Sequence, residues 1–279
     1  MQLIGLAEFG FSLERYVIFI AVFLLVWAPW WVLLLGKALV RVSNHGVKDG
    51  LDSATICFFL SGIGSVSMIL SLMIREFFPT RIPGDGVFSA IAFLSMFSIG
   101  MMTFSAVTAA TFLSQATRMK KARSFELSRR FLLLLAIPPL VPCIVLVILL
   151  QIFPELAKRL VLTSYVWMIM LAGGVVLFCS KAYYDAYAAK KMIEAFGRKQ
   201  VALDRAMRLQ FLCPIFSLPV IGGLSWSAYL FYTNAHLTDF AQVVAAECLW
   251  HVGLMGMCAS IFLSMDLGKV TEDSIDIIK

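Results

Sequence analysis

Glu247 and His251 are the residues best placed to do chemistry, because they stand four apart inside the apolar stretch from Ala241 to Met265. Helical spacing puts both on one face. A carboxylate within such a stretch is costly, and its default reading is functional: Glu247 accepting a hydrogen bond from protonated His251, or meeting a polar ligand. The competing reading is a structural bond to a neighbouring helix. A second polar stripe, Ser95, Ser98, Met102, Ser105 and Ala109, recurs at helical spacing. Small and hydroxylated residues let helices approach closely, with ligand lining by Ser95 and Ser98 as the alternative. Trp226 and Tyr229 cluster near one end of an apolar segment, as interfacial anchors or as the wall of a pocket for an apolar or aromatic ligand. Pro219 lies near the middle of that segment beside Gly222 and Gly223, where a missing backbone bond invites a conformational hinge or a static bend.

Other chemistries find no footing. There are three histidines, and His45 and His236 fall in connections on opposite sides of the membrane, so a metal cluster around His251 is not expected. The six cysteines all lie within apolar segments, which excludes a disulfide framework. With no glycine-rich phosphate loop or nucleophile elbow, the expectation is a protein with no catalytic residues and no cofactor.

The elements that must position these residues follow from composition: 61% of the side chains are apolar and 14% are charged. Spanning a hydrocarbon core takes about 20 apolar residues in a helix. Seven segments qualify, roughly 17–35, 54–74, 87–113, 131–153, 160–180, 209–232 and 241–265. The first contains Trp27, Pro29, Trp30 and Trp31 and no small-residue cleavage site, so it reads as a retained helix. Of the 23 lysines and arginines, eighteen fall on the side of the first, third and fifth connections and the tail, and five on the other. Short basic loops resist translocation, so the N-terminus is expected outside and the C-terminus in the cytosol. The fold class is therefore an all-α membrane protein, a seven-transmembrane helix bundle over residues 1–265 followed by a short cytosolic tail, 266–279. The plasma membrane is its expected location.

The net charge of +6 is carried by these connections, so the bilayer is the expected partner rather than nucleic acid. Between Lys181 and Arg208 the sequence is rich in Ala, Lys, Met and Glu with a single breaker, Gly197. The fifth and sixth helices are thus expected to continue into the cytosol as a helical hairpin. Thr271 followed by Glu272 and Asp273 predicts the N-cap of a brief tail helix. Arg118, Lys120, Lys121, Arg123, Lys190, Lys191, Arg205 and Arg208 form the basic surfaces on this side. They serve as anchors on anionic lipid or as a dock for an acidic or helical partner.

Seven helices in this orientation, with a basic second inner loop and a long, basic, helical third one, resemble the G protein-coupled (serpentine) receptors over nearly the whole chain. The resemblance implies a small-molecule ligand near Glu247 and His251 with the outer parts of helices three, five and six. It also implies a hinge at Pro219 and a cytosolic G protein docked on Arg118 to Arg130 and Lys181 to Arg208. The chain departs from the rhodopsin-like pattern. Helix three ends Ser114-Gln115-Ala116-Thr117-Arg118 with no acidic residue before the arginine, helix two has no aspartate, helix seven has no proline or lysine, and the outer loops have no cysteine. Arg208-Leu209-Gln210 with Pro214 is similar to divergent chemosensory families such as the nematode serpentine receptors. Two alternatives remain: a seven-helix small-solute transporter with Glu247 and His251 as a proton relay, and a non-signalling structural membrane subunit.

Overall fold

In the computed structural model, residues 13–49, 53–77, 86–117, 129–195, 201–234 and 240–266 are described. They form seven helices and no strand among the described residues: α1 Leu13–Asp49, α2 Ser53–Phe77, α3 Gly86–Thr117, α4 Arg129–Ile152, α5 Ala157–Ala195, α6 Val201–Thr233 and α7 Phe240–Asp266. Six of them are long and apolar enough to cross a bilayer, as in a multi-pass membrane protein. In α4 the described side chains, Pro139–Ile152, form an apolar stretch, and those of the first turns of the helix lie outside the described residues.

Hydrophobic runs of this length fold as helices because a bilayer leaves no water to satisfy backbone groups, and a helix satisfies them internally. The helices overrun the apolar runs where the flanking residues are good helix formers. Helix α5 has 39 residues, about 58 Å at 1.5 Å per residue, against about 30 Å of hydrocarbon. It continues through Lys181, Lys190 and Lys191 to Ala195, and α6 begins again at Val201, so both extend past their apolar runs as expected. Gly197 lies outside the described residues, as do Thr271 to Asp273.

Lys37 and Arg41 correct the sequence reading, which placed them in the first connection. Both are inside α1, with Lys37 over the Phe262 ring at 5.6 Å and Arg41 over the Phe58 ring at 5.9 Å. Their stems run along apolar surface while the charges meet ring faces, and each pair ties α1 to a neighbour.

Helix α3 is the hub, touching α2, α4, α5, α6 and α7; α1 lies on α2 and reaches α7, while α6 sits between α5 and α7. A polar seam fastens α2 to α3. Ser61 donates to Ser105 Oγ at 2.7 Å, Ser105 donates to the Cys57 carbonyl at 2.8 Å, and Ser98 donates to the Gly64 carbonyl at 2.7 Å. In an apolar surround such bonds replace water for the hydroxyls and fix the register of the two helices. At the far end of α6, Asn234 takes a left-handed φ of 60° that stops the helix, and Lys158 at the start of α5 donates to its side chain at 3.1 Å. Large apolar side chains left exposed, such as Leu25 and Leu177, face outward where lipid would cover them.

Candidate functional site

His251 sits halfway along α7, fully buried. Its imidazole is held on three sides. The Trp250 ring stacks on it at 3.7 Å between centroids, Phe23 of α1 lies tilted at 4.2 Å, and the Trp27 indole donates to Nδ1 across 3.0 Å. The Nδ1 of the ring is thus engaged by α1. Glu247, one turn earlier on α7, is half-buried.

Next to this aromatic cluster, α6 and α7 come into backbone contact. A Cβ on Gly223 would lie 2.7 Å from both the Ala246 carbonyl oxygen and the Trp250 nitrogen, and a Cβ on Gly253 would lie 2.7 Å from the Phe216 carbonyl oxygen. Gly256 is covered by the Phe216 ring. Only glycine admits approach this close. The contact brackets Pro219, whose missing N–H leaves a gap in the α6 ladder. Two residues before Pro219, Ser217 donates to the Cys213 carbonyl at 2.8 Å and lies 3.5 Å from the Met257 sulfur of α7. The residues either side of Glu247 and His251 thus bear directly on the stretch of α6 that carries Pro219.

The other expected site residues do not gather here. Ser98 is buried with its hydroxyl bonded to α2, and Ser95 shares a 2.7 Å hydrogen bond with Ser71 of α2. Both belong to the α2–α3 seam. Trp226 is half-buried on α6, and Tyr229 is 61% exposed, a position that suits an interfacial anchor. Lys191 and Arg208 are exposed, and Lys190 pairs with Glu194 at 3.5 Å. Arg118, Lys120, Lys121 and Arg123 lie outside the described residues, and of Arg205 only the helical backbone is described. Among the described residues no group of His, Cys, Asp and Glu could hold a metal ion.

Two lateral grooves open on the flanks of α3. One of about 570 Å³ lies against α4, where Gln151 donates to Ser89 at 2.8 Å above Phe93 and Ile148. The other, about 310 Å³, lies against α5 and is lined by Thr103, Met170 and Phe178. Neither is lined by Glu247 or His251.

Sequence reasoning missed Phe23, Trp27, Gly253 and Gly256. The glycines had a readable signal, a small residue every three or four positions on one face of α7. Trp27 had none, since an indole in an apolar run looks the same whether it meets lipid or a buried histidine. Compared with known proteins, the chain matches no family model, no curated protein and no solved structure.

Proposed function

We propose that the chain is a seven-helix membrane receptor in which a small-molecule stimulus, received around Glu247 and His251, shifts α6 and thereby engages a cytosolic G protein on the extended ends of α5 and α6. What supports the reading is the contact of Gly223 with Ala246 and Trp250, the residues flanking Glu247 and adjoining His251. Cores of this kind are close-packed and bistable, so a small displacement of α7 there is passed to α6 beside Pro219. A ligand can shift that equilibrium only by binding one arrangement better than the other, and Glu247 supplies a charge for such a difference. The experiment is G protein dissociation in cells carrying the chain at their surface, across a panel of small polar and aromatic compounds. A concentration-dependent response that weakens at least tenfold in Glu247→Gln supports the reading, and silence across the panel at full surface expression contradicts it.

A half-buried carboxylate within an apolar helix also favours a second reading, a proton-coupled transporter of small solutes. That reading requires pH-dependent uptake that is lost in Glu247→Gln while G protein signalling is absent.

A further inference from the structure

The exposed face of α5 changes character along its length. Val166, Met170 and Leu177 form an exposed apolar stripe, with Leu177 at 73% exposure. At the same helical spacing the stripe continues as Lys181, Tyr184, Ala188 and Lys191, all exposed, with Tyr184 at 71%. A face that is covered by acyl chains over one stretch must meet headgroups over the next, because the helix carries on straight through the boundary. The Tyr187 ring beside this stripe has the Lys191 ammonium 5.0 Å from its centroid, and Tyr183 stacks on Tyr187 at 6.4 Å and lies tilted against Phe211 of α6 at 5.0 Å. Met207 packs on Ala186, which brings the exposed Arg208 to the same depth.

Among the described side chains on this face, the acidic groups are engaged. Glu194 pairs with Lys190, and Asp185 is half-buried and takes part in an interaction of its own. Among the described side chains, three exposed cations stand around a platform of tyrosines: Lys181 at the end of the apolar run, Lys191 beyond it and Arg208 alongside. A protein partner at the end of the bundle would approach along the helix axes, whereas these side chains point sideways, on the continuation of the lipid-covered face.

We propose that Lys181, Tyr184, Tyr187, Lys191 and Arg208 form a binding site for the phosphate and carboxylate groups of anionic phospholipids at the boundary where α5 and α6 leave the bilayer. Lys181 meets the phosphate level from below and Lys191 from above, with the tyrosines at the glycerol and headgroup depth between them. Depth sets this site, whichever side of the membrane this end occupies, and Lys191 and Arg208 are shared with the surface assigned to the G protein in the receptor reading.

The test uses the full chain in phosphatidylcholine nanodiscs containing phosphatidylserine as the minor lipid, with headgroup-photoactivatable versions of each lipid and adducts mapped by peptide mass spectrometry. Each cation near the surface changes local anionic-lipid occupancy by about fivefold. The phosphatidylserine to phosphatidylcholine adduct ratio should therefore exceed the bulk ratio several-fold on the peptide carrying Tyr184 and Tyr187. In Lys181→Gln/Lys191→Gln/Arg208→Gln it should fall back to about the bulk ratio. It should survive in Lys181→Arg/Lys191→Arg and shrink in high salt. A thermal unfolding profile matching the unmodified chain verifies that the triple variant is folded. A ratio equal to bulk in the unmodified chain, leaving the stripe to a protein partner, or one unchanged in the folded triple variant would overturn the proposal.

Discussion

The Trp27 indole and the His251 imidazole, 224 residues apart in sequence, meet through a 3.0 Å hydrogen bond in a fully buried contact between α1 and α7. Helix α1 otherwise lies mainly on α2, so this bond and the Phe23 contact close the bundle on its first helix. In hydrocarbon the indole N–H has no water to turn to, which is why a donor and an acceptor are paired across the helices.

Replacing Trp27 with Phe keeps an aromatic ring but removes the donor. Leaving a buried nitrogen without this partner costs about 1–3 kcal/mol. Thermal unfolding in bicelles should move down accordingly, and the ¹⁵N shift of His251 Nδ1 should change. An unchanged shift would mean that the indole does not reach the ring in the membrane.

Gly223 and Gly173 should respond oppositely to the same change. A methyl on Gly223 would strike the backbone of α7, so Gly223→Ala is expected to force α6 away and destabilise the chain by about 1–3 kcal/mol. Nothing lies within 4 Å of a Cβ on Gly173, so Gly173→Ala should be neutral or, through helix propensity, stabilising by up to about 1 kcal/mol. Reversible unfolding of the two variants side by side is the check, and equal effects would contradict the α6–α7 packing.

Ser61 and Ser105 act as one relay, the first donating to the second and the second to the Cys57 carbonyl. A double-mutant cycle with Ser61→Ala and Ser105→Ala should return a coupling of about 0.5–1.5 kcal/mol. A coupling of zero would place the two hydroxyls apart.

The helices were legible in the sequence because bilayer thickness sets their length and leaves a plain signal, an uncharged run of about 20 residues. The extension of α5 and α6 was legible too, from Ala, Lys, Met and Glu around a lone glycine. The partners of each face were not. Helices α3 and α7 are apolar nearly all round, and lipid is as apolar as a protein core, so periodicity cannot tell which side of Trp27 or Tyr229 is inside. Ser95 and Ser98 show the same ambiguity: a hydroxyl at helical spacing serves a ligand or a neighbouring helix equally well, and here both bond to α2. Lys37 and Arg41 fall beyond the apolar run that ends near residue 35, yet α1 carries on through both, with the rings of Phe262 and Phe58 beside them.

The coupling of α7 to α6 is tested most directly by locking the two helices together. A Cβ on Gly222 would meet a Leu249 methyl at 3.5 Å and no backbone, so Gly222→Cys/Leu249→Cys, in a background lacking the six native cysteines, places two thiols on facing sides of α6 and α7 to be joined by oxidation. The reduced protein should give a stimulus-dependent G protein response, the oxidised protein should give none, and reduction should restore it. An identical response in the fully cross-linked protein, or none in either state, would contradict the account.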